Sequence, residues 1–225
     1  MYDLYIGNKN YSSWSLRPWL LMTERGIPFN EKLMRFEPDT YAAFRKFSPT
    51  GLVPVLHDGD TVIWESLGIT EYLAERHDGI WPADAKVRAW ARCAAAEMHG
   101  GFSSLRARCT MNIGVRIRLD SIPAPLQRDI DRLSELWSEG LSRFGGPFLA
   151  GSAFTAVDAF FAPVAFRIQT YSLVLDDAPA AYAARLLNLP SMQAWEAAGL
   201  AETFRDEAHE DELKAMGTLI EDRRA

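Results

Sequence analysis

Short apolar runs and helical stripes alternate over the first 80 residues of the chain. The runs with β character cover residues 2–7, 29–33, 53–56 and 61–64. Asp58, Gly59 and Asp60 separate the last two runs, and such a glycine-centred break favours a tight hairpin turn. The changing period therefore predicts an α/β domain over residues 1–80.

Beyond residue 82 the apolar positions follow a helical period, and no strand pattern of comparable quality is present. In the clearest stripe the spacings of three and four place all members on one helix face. Its members are Leu126, Ile130, Leu133, Trp137, Leu141 and Phe144. Glycine and proline mark the join near residues 78–82. We expect an all-helical domain over residues 86–225.

The composition is that of an ordinary globular protein, with 48% hydrophobic and 24% charged residues among 225. A formal net charge of -6 and a pI near 5.3 argue against a nucleic-acid partner, which would need a basic face. No apolar run approaches the roughly 18 residues of a membrane span, and the first residues lack a basic stretch followed by an apolar one. We expect a cytoplasmic protein with a small-molecule partner, and neither a membrane nor a nucleic-acid partner.

Neither the cysteines nor the histidines have the spacing of a redox or metal site. Cys93 and Cys109 are too far apart for a CxxC pair and too few for a disulfide framework. The four histidines, which lack ligand spacing and a carboxylate cluster, are His57, His77, His99 and His209. We predict no metal, and we expect these histidines at the surface or with internal partners.

Hydroxyl groups gather where the first helix should begin. Ser12, Ser13 and Ser15 follow the first apolar run and precede an apolar stripe, and Pro18 is tolerated in a first helical turn. Serines at this place cap a helix by accepting from its free N–H groups, or they present a hydroxyl to a ligand. The local pattern leaves both interpretations open.

A second segment combines an exposed backbone with an anion site. Pro54 stands where a strand should begin, so it suits an edge or a cis turn that leaves the Val53 backbone free to pair with an extended ligand. Ser66 opens the next helix, whose first amides attract a carboxylate, and Glu65 beside it can accept from an ammonium group. An ordinary turn and an ordinary helix cap are the alternatives. Together, Glu65 and Ser66 suit the charged head group of an amino acid or short peptide.

In this order along the chain, these segments resemble the cytosolic glutathione transferases over nearly all 225 residues. Thr155 and Asp158 add a Thr-x-x-Asp capping box of the sort that begins a central helix in that family's second domain. The resemblance implies a thioredoxin-like α/β domain followed by an all-α helical bundle. It also implies that glutathione binds as co-substrate, without metal, through Val53, Pro54, Glu65 and Ser66.

The start of the first helix looks most like the zeta class of that family. Ser12, Ser13, Ser15 and Arg17 match the zeta signature by position, whereas Trp14 replaces its cysteine and Leu16 its tryptophan. Leu52 stands where zeta enzymes usually place a glutamine before Val-Pro. The zeta reaction, isomerisation of maleylacetoacetate, is therefore one candidate. The missing cysteine argues against the omega and beta classes and against glutaredoxin.

The resemblance makes Ser12 the first choice, and Ser13 the second, for a hydroxyl that stabilises the glutathione thiolate. The Ser13 and Trp14 amides are expected to help. A thiol of pKa near 8.5 is mostly protonated at pH 7, and a hydroxyl bond to an anion supplies about 1.5 to 3 kcal/mol. Tyr5 and Tyr11 are rivals, because other classes use a tyrosine from the first strand or the following loop.

The second substrate and the reaction stay open at this point. Conjugation, isomerisation and peroxide reduction are all compatible with an activated thiol, and a non-catalytic binding or assembly module of the same fold is the alternative. Arg108 or Arg116, from the basic stretch at residues 106–118, would favour an anionic electrophile if either turned inward. The family resemblance also implies a homodimer.

Overall fold

A four-stranded sheet organises the first part of the chain in the computed structural model, which describes residues 1–37 and 40–224. The strand order is β2-β1-β3-β4, with β1 parallel to β2 and the other neighbours antiparallel. Three helices accompany the sheet, as in a thioredoxin-like domain. The elements are β1 (Tyr2–Ile6), α1 (Ser13–Glu24), β2 (Phe29–Leu33), α2 (Thr40–Phe44), β3 (Val55–Asp58), β4 (Thr61–Trp64) and α3 (Ser66–Ala74).

The hairpin predicted at residues 58–60 is confirmed. Asp58 pairs with Thr61, so the turn has two residues, and Gly59 adopts φ 58°, which glycine reaches without strain. The third strand begins at Val55 and not at Val53, because Pro54 has no N–H to donate to the ladder. The Val53–Pro54 bond is cis, one of the two placements that the sequence suggests.

Helices dominate the second part. The apolar stripe predicted for α6 is confirmed, since Leu126, Ile130, Leu133 and Trp137 are all buried. The helices and strands of this part are α4 (Ala85–Gly100), α5 (Ser103–Arg108), β5 (Val115–Leu119), α6 (Ala124–Phe144), α7 (Ala156–Tyr171), α8 (Asp177–Leu187), α9 (Pro190–Leu200), α10 (Glu207–Lys214) and β6 (Gly217–Asp222).

The helical second domain is confirmed, but it also contains two short strands that the sequence analysis did not anticipate. β5 and β6 form a two-stranded antiparallel sheet, with a register irregularity between Arg116 and Ile117. Val115 and Ile117 are buried while the residues between and after them are more exposed, which is the alternation of a strand. Five alternating residues are a weak signal alone, and the partner strand lies about a hundred residues further along the chain.

The two parts share one continuous apolar core, in which α1 packs against α7. Polar contacts tie α9 and the residues after it to the loop that follows β1. The Trp195 Nε1–H donates to the Lys9 carbonyl at 2.9 Å, and the Lys9 N–H donates to Glu202 at 2.7 Å. Across residues 1–37 and 40–224, no helix combines the length and apolarity that a membrane crossing requires.

Candidate functional site

A cavity of about 810 Å³ opens between the sheet domain and the helices. Six of the seven predicted site residues line it, and Ser66 is fully buried behind Glu65. The wall from the first part includes Tyr11, Ser12, Ser13, Trp14, Leu52, Val53, Pro54, Trp64 and Glu65. The opposite wall includes His99, Ser103, Arg106, Thr110, Met111, Arg167, His209 and Glu212.

Ser12 both caps α1 and faces the cavity. Its Oγ accepts from the Ser15 N–H at 3.4 Å and donates to the Ser15 Oγ at 2.8 Å. Ser15 in turn accepts from the Gly7 N–H at 3.0 Å, and its side chain is fully buried. The two interpretations of these serines are therefore compatible. Hydroxyl hydrogens can rotate. Ser12 could therefore donate a hydrogen bond to a ligand anion while the Ser15 hydroxyl donates to the Ser12 oxygen.

The amides at the start of α1 differ from expectation. The Ser13 N–H donates to the Tyr11 carbonyl at 2.9 Å, so it is not free for a ligand. Ser13 instead offers its hydroxyl oxygen, which accepts from Arg167 at 3.3 Å. Within residues 1–37 and 40–224, the Trp14 N–H has no recorded acceptor. Only Trp14 of the two expected amides is therefore available to a bound anion.

The two tyrosines considered as alternative hydroxyl donors to the thiolate make other contacts. The Tyr11 hydroxyl donates to Glu210 at 2.7 Å, and burial, with the Glu210 carboxylate, raises the pKa of Tyr11 to about 12. Tyr5 stacks on Phe47, packs against His57 at a tilted angle, and is not part of the cavity wall. The geometry therefore favours a serine as the hydroxyl donor.

Two arginines pack on Trp14, and a third, Arg167, donates to the neighbouring Ser13. The Arg17 and Arg106 guanidinium groups lie 4.2 Å and 4.9 Å from a Trp14 ring centroid. Burial lowers the pKa of Arg17 to about 9 and the pKa of Arg167 to about 10, so both keep their charge at neutral pH. The Nε of each has no hydrogen-bond partner among the described residues. An anion in the cavity would balance this charge.

The arginines that line the cavity are not the ones that the sequence analysis suggests. Arg108 is exposed at the end of α5, and Arg116 donates to the carbonyls of Ile113 and Val115. Arg106 lies two residues before the end of α5 and lines the cavity together with Arg167 of α7. Arg167 was missed by sequence analysis. A single arginine within the apolar run of α7 is the signal that could have found it.

Val53 and Pro54 present their backbone to the cavity. Among the described residues, neither the Val53 N–H nor its carbonyl has a recorded hydrogen-bond partner, as the sequence analysis expects for a backbone that pairs with a ligand. Leu52 beside them is 66% exposed and lines the same wall. This edge can therefore receive an extended backbone.

The start of α3 holds a carboxylate that belongs to the protein itself. Glu65 Oε1 accepts from the Ser66 N–H at 2.5 Å and from the Ser66 hydroxyl at 2.9 Å, while Oε2 accepts from the Leu67 N–H at 3.2 Å. Glu65 has φ 72°, a left-handed conformation that is unusual for a non-glycine residue and tends to occur at ligand sites. The donors that the sequence analysis assigns to a ligand carboxylate at Ser66 thus bind the protein's own Glu65 side chain.

The histidines divide into two pairs. His57 contacts the Phe47 carbonyl and His77 the Tyr2 hydroxyl, as expected of histidines with internal partners. His99 and His209 line the cavity, which the sequence analysis did not anticipate. Among residues 1–37 and 40–224, no group of three or more His, Cys, Asp or Glu side chains could hold a metal ion.

Comparison with known proteins agrees with this architecture. Residues 11–76 match the family "Glutathione S-transferase, N-terminal domain", and residues 114–198 match "Glutathione S-transferase, C-terminal domain". These two segments cover well over half of the chain in the expected order. The chain belongs to the glutathione S-transferase family.

Individual relatives are distant. Glutathione S-transferase F14 of Arabidopsis thaliana is 28% identical over 66% of this chain and 63% of its own length, and a zeta-class glutathione S-transferase of Euphorbia esula is 29% identical over 68% and 70%. The matched region thus spans less than two thirds of the Arabidopsis protein. A glutathione transferase homolog from Burkholderia, solved with bound glutathione, has a TM-score of 0.66 at 21% identity and covers 88% of this chain and 97% of its own. It supports the fold.

Proposed function

We propose that this protein is an enzyme that binds glutathione in the cavity and activates its thiol through Ser12. The observation that carries the proposal is the Ser12 hydroxyl at the start of α1, facing the cavity that Val53, Pro54 and Glu65 also line. The cysteine backbone of glutathione would pair with Val53, and its γ-glutamyl head group would bind at Glu65 and Ser66. The Trp14 N–H would assist at the sulfur.

Ser12 can supply the stabilisation that the thiolate requires. Lowering the thiol pKa by about two units corresponds to roughly 2.7 kcal/mol in favour of the anion. A hydroxyl bond to a charged sulfur contributes about 1.5 to 3 kcal/mol, and the N-terminus of α1 about 0.3 to 1 more. Ser12 is only 6% exposed, so water competes weakly for this bond. These terms are sufficient without a metal or a histidine.

The test is the absorbance of the thiolate in the glutathione complex as a function of pH. Ser12→Ala should raise the apparent thiol pKa by about one to two units, with a smaller effect on binding of the protonated tripeptide. Ser12→Thr keeps a hydroxyl and serves as the matched control, and Ser13→Ala should do less than Ser12→Ala. A shifted curve for Tyr11→Phe or Tyr5→Phe beside a normal one for Ser12→Ala would contradict the assignment. An unshifted thiol in the wild-type complex would favour the non-catalytic binding module.

We further propose that the second substrate is an electrophile with a carboxylate or similar anionic group. Arg106 and Arg167 carry this proposal, because both line the cavity near Trp14 and Ser13 with no carboxylate bonded to either among the described residues. The identity of the substrate stays open. Isomerisation of a dicarboxylic acid, the zeta-type reaction, is the candidate that such charge suits best.

Two electrophiles of similar reactivity test this charge requirement, one with a free carboxylate and one with the corresponding amide. Arg106→Gln should lower kcat/KM for the anionic compound by about tenfold or more, and change it little for the neutral one. Arg106 is preferred over Arg167 because Arg106 is half-buried, whereas Arg167 is buried and bonds the Ser13 hydroxyl as well as the Cys109 carbonyl. Arg108→Gln, on the exposed end of α5, is the control. Equal losses for both electrophiles would refute an anionic substrate.

We propose that the protein forms a homodimer through the exposed apolar side chains of its first domain. Leu52 is 66% exposed and Trp64 47% exposed, both beside the cavity. Sedimentation velocity should give a dimer for the wild type and a larger monomer fraction for Leu52→Glu. A monomeric wild type would refute this. Zeta-class membership and a cytoplasmic location stay predictions.

A further inference from the structure

The donors at the start of α3 can serve only one carboxylate at a time. The Ser66 N–H, the Ser66 hydroxyl and the Leu67 N–H all point to Glu65. The single hydroxyl hydrogen of Ser66 is given to Glu65, and the hydroxyl oxygen accepts from Arg17 at 3.5 Å. A ligand carboxylate that takes these donors must therefore displace the side chain of Glu65.

His99 is the group toward which Glu65 can move. It lies near the end of α4, and its Nε2 is already 3.4 Å from Glu65 Oε2. The ring packs edge-on against Trp14 and near Phe160, and its Nδ1 is buried without a hydrogen-bond partner among the described residues. The charged groups around the ring are Glu65 before α3, Arg17 on α1 and Arg106 on α5.

We infer that His99 is a further residue of the binding site, which takes a proton and pairs with Glu65 when a γ-glutamyl carboxylate displaces Glu65 from α3. This inference rests on the proposed function, in which glutathione occupies that position. The displaced Glu65 then binds the ligand ammonium group on one side and the His99 imidazolium on the other. Binding of the head group is thereby linked to uptake of a proton from solvent.

The electrostatics of the free protein agree with this linkage. Burial lowers the pKa of His99, the Glu65 carboxylate opposes that effect, and Arg17 and Arg106 add to it. His99 is thus largely neutral near pH 7 while the α3 donors hold Glu65. Once Glu65 gives up those donors, its full charge acts on the ring, which raises the pKa of His99.

Titration calorimetry with S-methylglutathione tests the inference, because this analogue keeps the γ-glutamyl group and has no thiol proton to release. Repeating the titration near pH 7 in buffers of different ionisation enthalpy should reveal uptake of about 0.3 to 1 proton per site. As the pH falls, the affinity should rise, by up to about tenfold for each unit by which binding raises the pKa of His99. The NMR titration of the His99 ring, one of four histidines in the chain, should shift upward with ligand.

Variants separate His99 from the other histidines. His99→Gln keeps a hydrogen-bonding amide beside Glu65 but cannot take up a proton, so uptake should vanish while affinity above pH 8 stays within about threefold. His77→Gln, outside the cavity, should retain uptake. Uptake that survives in His99→Gln, or that disappears only in His209→Gln, would overturn the inference. No binding of S-methylglutathione would refute the proposed function itself, whereas binding without proton uptake would refute only the role of His99.

Discussion

Among the helices whose first turn binds a side-chain carboxylate, α7 and α3 place theirs in different surroundings, and the two carboxylates have different roles. Asp158 near the start of α7 is fully buried and accepts from the Leu149 and Thr155 N–H groups and the Tyr182 hydroxyl. Glu65 at the start of α3 uses a similar set of donors, but its side chain is 43% exposed at the cavity. A carboxylate that is fully buried, out of reach of any ligand, can only stabilise the fold. A carboxylate that caps a helix beside a cavity can be exchanged for a ligand.

The largest effect that this comparison predicts is the loss of Asp158. Asp158→Ala leaves three buried donors without an acceptor, which should lower the free energy of unfolding by about 4 kcal/mol. Equilibrium urea denaturation measures it. Asp158→Asn, which keeps the shape and one acceptor oxygen, should cost clearly less. A loss below about 1 kcal/mol for Asp158→Ala would mean that water or a rearrangement satisfies those donors.

The pH dependence of Asp158 should be the next largest effect. Burial raises the pKa of Asp158 from 3.8 to about 6, against the opposing effect of its hydrogen bonds. The folded protein therefore holds a proton over a range where the unfolded chain has lost it. The stability that this proton contributes is complete below about pH 4 and is lost as the pH rises through 6, for a total of about 3 kcal/mol.

Because an asparagine does not titrate, the comparison with Asp158→Asn isolates this contribution from that of all other groups. The stability of the wild type relative to the variant should fall between pH 4 and pH 7 and then level off. Urea denaturation of both proteins across this range gives the curve. A constant difference would show that the hydrogen bonds to Asp158 offset the effect of burial on its pKa.

Glu65 should give the smallest effect on stability. Glu65→Ala removes a helix cap at a half-exposed position, so the free energy of unfolding should fall by about 1 kcal/mol. Glutathione affinity, measured by calorimetry, should fall by about tenfold when Ser66→Ala is added, because the head group loses both of its partners. Unchanged affinity in the double variant would remove the γ-glutamyl assignment. A stability loss equal to that of Asp158→Ala would erase the distinction between the two carboxylates.

The parts of the site that local chemistry specifies could be predicted from the sequence. Ser12 as a cap, the break at Pro54, the turn at Gly59 and the capping box at Asp158 each depend on a few neighbouring residues. The long stripe of α6 is equally local, since its period repeats over 21 residues. These are the elements for which the prediction is confirmed.

Other features depend on which distant segments meet. Arg167 reaches Ser13, 154 positions away in the chain, and β5 pairs with β6, from which the helices α6 to α10 separate it in sequence. The basic stretch at residues 106–118 predicts positive charge near the cavity. Helix phase and strand pairing place Arg106 in the cavity wall, and they place Arg108 and Arg116 outside it. No rule of spacing could have made that selection.

Hydrophobic periodicity, turn chemistry and capping residues therefore determined the two-part organisation, the four strands of the first part and the serines at the start of α1. These signals act over a few residues, where backbone hydrogen bonding and side-chain burial leave few alternatives. Tertiary packing alone decided that His99 lies beside Glu65, because this contact depends on α3 and α4 meeting at one cavity. The role of a charged side chain is set by what surrounds it in space.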